Sequence, residues 1–263
     1  ERVVGLYARE SNDYDLYTVL DFYESYRAWV RGKVATFLVA DPGTSPEDRR
    51  RARRDARSYF KLALATERRF LIPPLVVAVG GLIASGKTTI ADHLSRELGA
   101  PVVHTDRTRK HMLGVAATTH VGDGSWTGAY DPAFTERVYD EVFRRASVVL
   151  QSGRPVIVDA SFRSRAMRER ARELARRAGV PLRFVECRVD RETAMARLEE
   201  REHRTDVVSD GNRAIYDDFA ARWEPMDELA PGEHIVLDTR QPVEACMQQL
   251  VDRIPTWPAG LAG

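Results

Sequence analysis

Eight residues, Gly81-Leu-Ile-Ala-Ser-Gly86-Lys87-Thr88, constrain this chain more than any other segment. They fit G-x-x-x-x-G-K-[ST] and lie between an apolar run, Leu75 to Val79, and a stretch where Ile90, Leu94 and Leu98 recur at helical spacing. The valine-rich run suits a strand buried on both faces of a parallel sheet. Between strand and helix, the glycines let the backbone curl until successive N–H groups point inward, and the helix adds the positive end of its dipole. Such a concavity holds phosphate oxygens. Gly81, Ala84, Ser85, Gly86, Lys87, Thr88 and Thr89 are the expected nucleotide contacts, with Lys87 across the β- and γ-phosphates of ATP and the Thr88 hydroxyl on Mg²⁺. The bare alternative is a glycine-rich turn before an amphipathic helix. Lys33, Lys61, Lys87 and Lys110 are the only lysines among 40 basic residues, which gives weight to a lysine at a motif position.

The pattern around this motif predicts a three-layer α/β fold with a parallel sheet. Strands are expected at 75–80, 101–105, 155–159, 182–188 and 234–238, and helices at 87–98, 107–113, 133–151, 164–178, 191–203, 213–229 and 242–253. Residues 1–72 read differently, as a charged, helical segment with no strand. Within it, Asp41 to Pro46 is a loop by composition, with Ser45 placed as an N-cap and Pro46 at the first helical position. Ile72-Pro-Pro74 marks the change, so the α/β domain is expected over 73–256, followed by a short tail, 257–263. The glycine-rich stretch from Gly114 to Tyr130 is too long for a routine connection and reads either as a substrate-side flap or as a surface insertion.

Two carboxylates end apolar strands. Asp159, closing Val156-Ile-Val-Asp159, stands where an acid beside the phosphate loop holds Mg²⁺, or where an aspartate caps a helix. Asp106, closing Val102-Val-His-Thr-Asp106, stands at the carboxyl end of a strand, where ligands bind in open α/β sheets, and can take a proton from an acceptor hydroxyl or cap the next helix. Arg109 follows on the same helical face and would clamp an anionic or polyhydroxyl acceptor, with Tyr130 and Arg163 as further acceptor contacts. Arg197 and Arg201, four apart on one predicted helix, and Arg204 beyond them read as a lid whose arginines stabilise transferring phosphate, or as partners of Glu199 and Glu200 on a solvated face.

Composition narrows the partners. Forty basic against 39 acidic residues give a net charge of +1, which disfavours nucleic-acid binding through bulk electrostatics. No apolar run reaches the roughly 18 residues of a membrane helix. Cys187 and Cys246 lie far apart without metal-ligand spacing and no signal peptide opens the chain, so a cytoplasmic location is expected. A start at Glu1 suggests processing or a piece of a longer protein.

Together, Gly81 to Thr89, Asp106-x-x-Arg109, Val156 to Asp159 and Arg197 to Arg201 resemble the P-loop kinase group that includes polynucleotide kinases, zeta-toxin-like kinases and chloramphenicol phosphotransferase. The resemblance implies a P-loop NTPase fold with five parallel strands in the order 2-3-1-4-5. It also implies a kinase that moves the γ-phosphoryl group of ATP to a hydroxyl, with Asp106 as the activating acid and Lys87, Arg197 and Arg201 on the phosphates. Thr105 to Lys110, Tyr130 and Asp159-Ala-Ser-Phe-Arg163 are most similar to the ATP-binding half of fused aminoglycoside phosphotransferase/ATP-binding proteins, and Asp21 to Lys33 resembles the tail of their phosphotransferase-like half. Neither a glycine-rich nucleotide loop nor an H-x-D catalytic loop precedes that tail, so the rest of that half is an expected partner in a longer chain. A small polar, sugar-like or antibiotic-like acceptor is the first expectation. A nucleic-acid 5′-hydroxyl is the second, and an ATP-hydrolysing switch with a helical interaction module is a reading of another class.

Overall fold

The computed structural model describes residues 1–64, 72–121, 126–202 and 208–255. Five strands, β1 (Val76–Gly81), β2 (Val102–His104), β3 (Val156–Asp159), β4 (Leu182–Arg188) and β5 (His234–Asp238), form one all-parallel sheet in the order β2-β3-β1-β4-β5. β1 is central and fully buried, as its unbroken apolar run requires. The register pairs Val79 with Asp159 and Asp159 with His104, so the carboxyl ends of β1, β3 and β2 finish level with one another.

Helices α4 (Lys87–Leu98) and α10 (Val243–Val251) cover one face of the sheet, where Ile90, Leu94, Leu98, Met247 and Leu250 meet Val77, Val79, Ile157, Val185 and Ile235. The other face carries α6 (Pro132–Gln151) and α7 (Arg165–Ala178). There Phe162 meets Phe184 edge-on at 5.1 Å, and Tyr139 and Phe143 complete an aromatic core. Gly80 leaves room for it, since a Cβ there would lie 2.9 Å from the Phe184 ring. α6 starts at an Asp131-Pro132 pair whose aspartate accepts from the Ala133 and Phe134 amides, and α7 starts at Ser164, which accepts from Met167.

Helices α5 (Thr105–Met112), α8 (Arg191–Glu202) and α9 (Arg213–Ala221) complete this unit. The stretch 213–229 is helical only to Ala221, because Pro225 disfavours helical backbone before it. Buried Arg168 then takes the carbonyls of Phe162, Glu224 and Pro225 and the Glu228 carboxylate, fixing the following segment as a strap.

The division of the chain differs from the expected boundary near residue 72. One compact unit comprises residues 1–14 with 71–263, and the other residues 15–70. Helix α1 (Arg2–Ser11) ends at Asn12, whose left-handed φ of 57° breaks the run, and the first residues join the α/β unit through specific bonds. Glu1 accepts from buried Arg154, Asn12 accepts from Arg145, and the Tyr14 hydroxyl donates to the Val102 carbonyl. The second unit is a hairpin of α2 (Leu20–Ala40) and α3 (Pro46–Ala63), joined by the expected loop with Ser45 capping the Asp48 amide. Its buried seam uses small residues, Ala28, Gly32 and Ala35 against Ala52 and Ala56, and a Cβ on Gly32 would lie 2.8 Å from the Phe60 ring.

Among the described residues, no helix is long and apolar enough to cross a membrane.

Candidate phosphoryl-transfer site

The loop after β1 curls as its sequence predicts. Gly81, Ala84 and Gly86 take φ values of 147°, 60° and 83°, and a Cβ on Gly81 would fall 2.4 Å from the Cys187 carbonyl and 2.6 Å from Ser85 Oγ. Ser85 is buried, and its hydroxyl has no hydrogen-bond partner among the described residues. Lys87 and Thr88 open α4 at the mouth of a cavity of about 430 Å³.

Thr88 Oγ1 donates to Asp159 Oδ2 at 2.8 Å, and His104 Nδ1 lies 2.9 Å from the same oxygen. Asp159 therefore caps no helix, and its carboxylate is aimed at the phosphate loop. Burial works to raise its pKa, but the His104 hydrogen bond and the Lys87 charge outweigh burial and hold it below the ordinary aspartate value. Lys87 Nζ donates to the Leu82 carbonyl at 2.8 Å; burial lowers its pKa, opposed by Asp159, Cys187 and Asp106. Thr88 and Asp159 fit a magnesium ion, a hard cation that keeps several waters and needs only one or two protein oxygens. Among the described residues there is no cluster of three His, Cys, Asp or Glu that would suit a caged metal instead.

Asp106 lines the same cavity from the first turn of α5. The N-terminus of α5 has no side-chain cap, and Asp106 accepts no hydrogen bond among the described residues, so its carboxylate is not used as a cap. Burial raises its pKa; Arg109 opposes that, and Asp159 and Asp210 add to it. A half-buried carboxylate of raised pKa, open to a cavity, is suited to accept a proton.

Arg109 is buried, with its guanidinium over the Tyr130 ring at 4.4 Å. It donates to the Ala129 carbonyl and to Thr135, while its Nε has no acceptor among the described residues. The Tyr130 hydroxyl donates to Asp210 at 3.0 Å. Asp210 is a hub that sequence reading misses. It lies 3.1 Å from Lys110 Nζ and 3.2 Å from His120 Nδ1, and Lys110 also donates to the Val208 carbonyl, so α5, the 114–130 stretch and the segment before α9 are tied together. His104 is the second omission. Both depend on partners 55 to 100 residues away, although an isolated lysine in a lysine-poor chain was a usable signal.

Of the two lid arginines, Arg201 lines the cavity and its charge presses on Lys87. Arg197 does not line it: its guanidinium donates to the carbonyls of Ala84 and Thr239, bracing the back of the phosphate loop. Arg204 lies outside the described residues. Arg163 lines the cavity, 4.1 Å above the Trp126 ring. Thr239, from the turn after β5, bonds the Ser85 carbonyl and helps fix the loop.

A phosphate loop at the end of a central parallel strand, with an acid at the end of its neighbour and this strand order, defines a P-loop NTPase of the kinase-like type. The AAA domain family model (AAA_33) matches residues 76–226, and the chain belongs to that family. An uncharacterized protein of Mycobacterium tuberculosis is 33% identical over 169 residues, which cover 64% of this chain and 32% of that protein, so the chain spans about a third of this relative. The shikimate kinase of Salinibacter ruber is 28% identical over 211 residues, covering 75% of this chain and 92% of the enzyme. The crystal structure of a sugar kinase from Janibacter sp. HTCC2649 superposes with a TM-score of 0.51 at 22% identity, over 69% of this chain and 93% of that one, a likeness of fold.

Proposed function

We propose that the chain is an ATP- and Mg²⁺-dependent kinase that transfers the γ-phosphoryl group to a hydroxyl of a small polar acceptor. The observation that carries this reading is Asp106: an unpartnered, half-buried carboxylate of raised pKa in the same cavity as Lys87 and Thr88. A carboxylate so placed has the pKa direction and the access that activation of an acceptor hydroxyl requires. The relationship to shikimate kinase supports the same reading.

In this mechanism the phosphate loop and Lys87 would hold the triphosphate, and Thr88 and Asp159 would hold magnesium, with His104 fixing the Asp159 carboxylate. Magnesium, when bound, neutralises charge on the β- and γ-oxygens. Asp106 accepts the proton of the acceptor hydroxyl as its oxygen bonds to the γ-phosphorus, and the bond from that phosphorus to the β,γ-bridging oxygen breaks to release ADP. Arg201 stabilises charge on the transferring group, while Arg109, Tyr130 and Arg163 shape the acceptor end.

The test is ATP-to-ADP turnover with Mg²⁺ across sugars, sugar acids, aminoglycosides, nucleosides and 5′-hydroxyl oligonucleotides, beside Lys87→Ala and Asp106→Asn. The expected result is one acceptor class that raises turnover and gains phosphate, with both variants abolishing the gain. Turnover that ignores every acceptor and survives Asp106→Asn would refute the kinase reading. An oligonucleotide acceptor would show itself by affinity that falls steeply with salt.

A further inference from the structure

Arg163 is set apart from other guanidiniums around the cavity. Arg9 pairs with Asp92 and Glu10, Arg107 pairs with Glu10, and Arg109 bonds a carbonyl and a hydroxyl. No group among the described residues accepts a hydrogen bond from the Arg163 guanidinium. The two carboxylates whose charge reaches it are committed elsewhere: Asp218 accepts from Trp126 Nε1 and sits 3.5 Å from Arg222, and Glu224 accepts from the Arg165 amide at 2.6 Å. Burial first, opposed by Tyr139, and then the neighbouring Arg222 charge press the Arg163 pKa below its usual value. A half-buried cation in that position gains most from an anion that arrives with a ligand.

The surroundings hold Arg163 in place. Phe162, fully buried, takes a left-handed φ of 50°, a conformation that costs a bulky residue roughly 1–2 kcal/mol and turns the chain just before Arg163. Trp126, also left-handed at φ 65°, stacks on Phe219 at 4.7 Å, with Arg163 at 4.1 Å and Arg222 at 4.3 Å from its ring. The result is an aromatic wall beside a fixed guanidinium fork, in the cavity that also holds Asp106.

Resting on the kinase reading above, we propose that the acceptor is a small hydroxy acid, whose anionic group pairs with Arg163 against the Trp126–Phe219 wall while its hydroxyl lies at Asp106. Carboxylate and phosphate ester share the chemistry that a guanidinium reads through two parallel hydrogen bonds. A cavity of about 430 Å³ suits such a small molecule. The negative group binds away from Asp106 and Asp159, so that cation and carboxylates divide the site by charge.

The experiment uses the chain with ATP and Mg²⁺ and matched acceptors: aldonic acids against alditols of equal carbon number, and sugars against their phosphate esters. Wild type is compared with Arg163→Met and Arg163→Lys. The acid of a pair is expected to be the better substrate, and Arg163→Met to shrink the acid-to-neutral ratio of kcat/KM by about 10- to 100-fold. The loss should lie in the acceptor KM rather than the ATP KM, with partial recovery in Arg163→Lys. The two kinds of pair tell carboxylate from phosphate ester. The same acceptors are titrated without nucleotide by tryptophan fluorescence, with Trp126→Phe assigning the signal. Neutral acceptors that match their acids, a loss confined to the ATP KM, or no acid-specific, Arg163-dependent response in either assay would overturn the hydroxy-acid assignment while leaving the kinase reading standing. Turnover indifferent to every acceptor and to Asp106→Asn removes both.

Discussion

At the phosphate end of the cavity, Thr88 and His104 both bond Asp159 and Lys87 rests on the Leu82 carbonyl, with Ser85 Oγ and His104 Nε2 left without a partner; at the acceptor end, among the described residues, the Asp106 carboxylate and the Arg163 guanidinium make no hydrogen bond and Arg109 Nε has no acceptor. On the proposed kinase reading the phosphate end would hold a ligand part common to every turnover, and Thr88, His104 and Asp159 hold one another in place. The acceptor end keeps groups whose partners must come from one particular molecule, and a buried group left unpaired costs about 1–3 kcal/mol. A fold tolerates such cost where function demands it. On the proposed kinase reading, selectivity would belong to α5, the 114–130 stretch and the turn after β3, and the chemistry of the triphosphate to β1, β3 and α4.

The largest effect is expected where the acceptor end is anchored. Lys110→Met leaves Asp210 buried without its ion pair and should cost about 3–5 kcal/mol of unfolding free energy in urea; a loss below about 1 kcal/mol would show that the 114–130 stretch and α5 are not coupled through this pair. Next, Lys87→Ala should lower turnover by about 10²- to 10³-fold while acceptor binding, read by fluorescence, persists; loss of acceptor binding as well would mean that the two ends are not separable. His104→Phe should weaken magnesium by about 10- to 100-fold, read as the Mg²⁺ concentration for half-maximal turnover, with acceptor KM unmoved. The smallest effect has a definite sign. Asp106 has a folded pKa raised above its unfolded value, so its favourable contribution is complete below the ordinary aspartate pKa and is lost as pH rises through the folded one. Asp106→Asn should thus be more stable than wild type at neutral pH and equal to it in strong acid, by thermal melts; a destabilised variant at neutral pH would contradict the burial that raises this pKa.

The phosphate loop, all five strands and the strand-end acid Asp159 were legible in the sequence because each is a contiguous pattern whose meaning does not depend on distant residues, whereas Asp106, read as closing a strand, stands in the first turn of α5 because β2 ends at His104. Ser45 and Pro46 were legible for the same reason. Long-range partnerships were not. Asp210 meets Lys110 across 100 residues of chain, Trp126 meets Asp218 across 92, and His104 meets Asp159 because β2 and β3 are neighbours in the sheet though not in the chain. Residues 1–14 share the helical, charged character of the hairpin after them, and only bonds such as Arg154 to Glu1 assign them to the α/β unit. Arg197 and Arg201 look equivalent on a helix, yet only Arg201 lines the cavity, because Thr239 and Ala84 present carbonyls to the other.

The central claim is that Asp106 activates an acceptor, and the direct measurement is acceptor phosphorylation by Asp106→Asn with ATP affinity determined on the same preparation. The account predicts that phosphoryl transfer falls by about 10²- to 10⁴-fold while ATP binds as before. Undiminished acceptor phosphorylation by Asp106→Asn would contradict it.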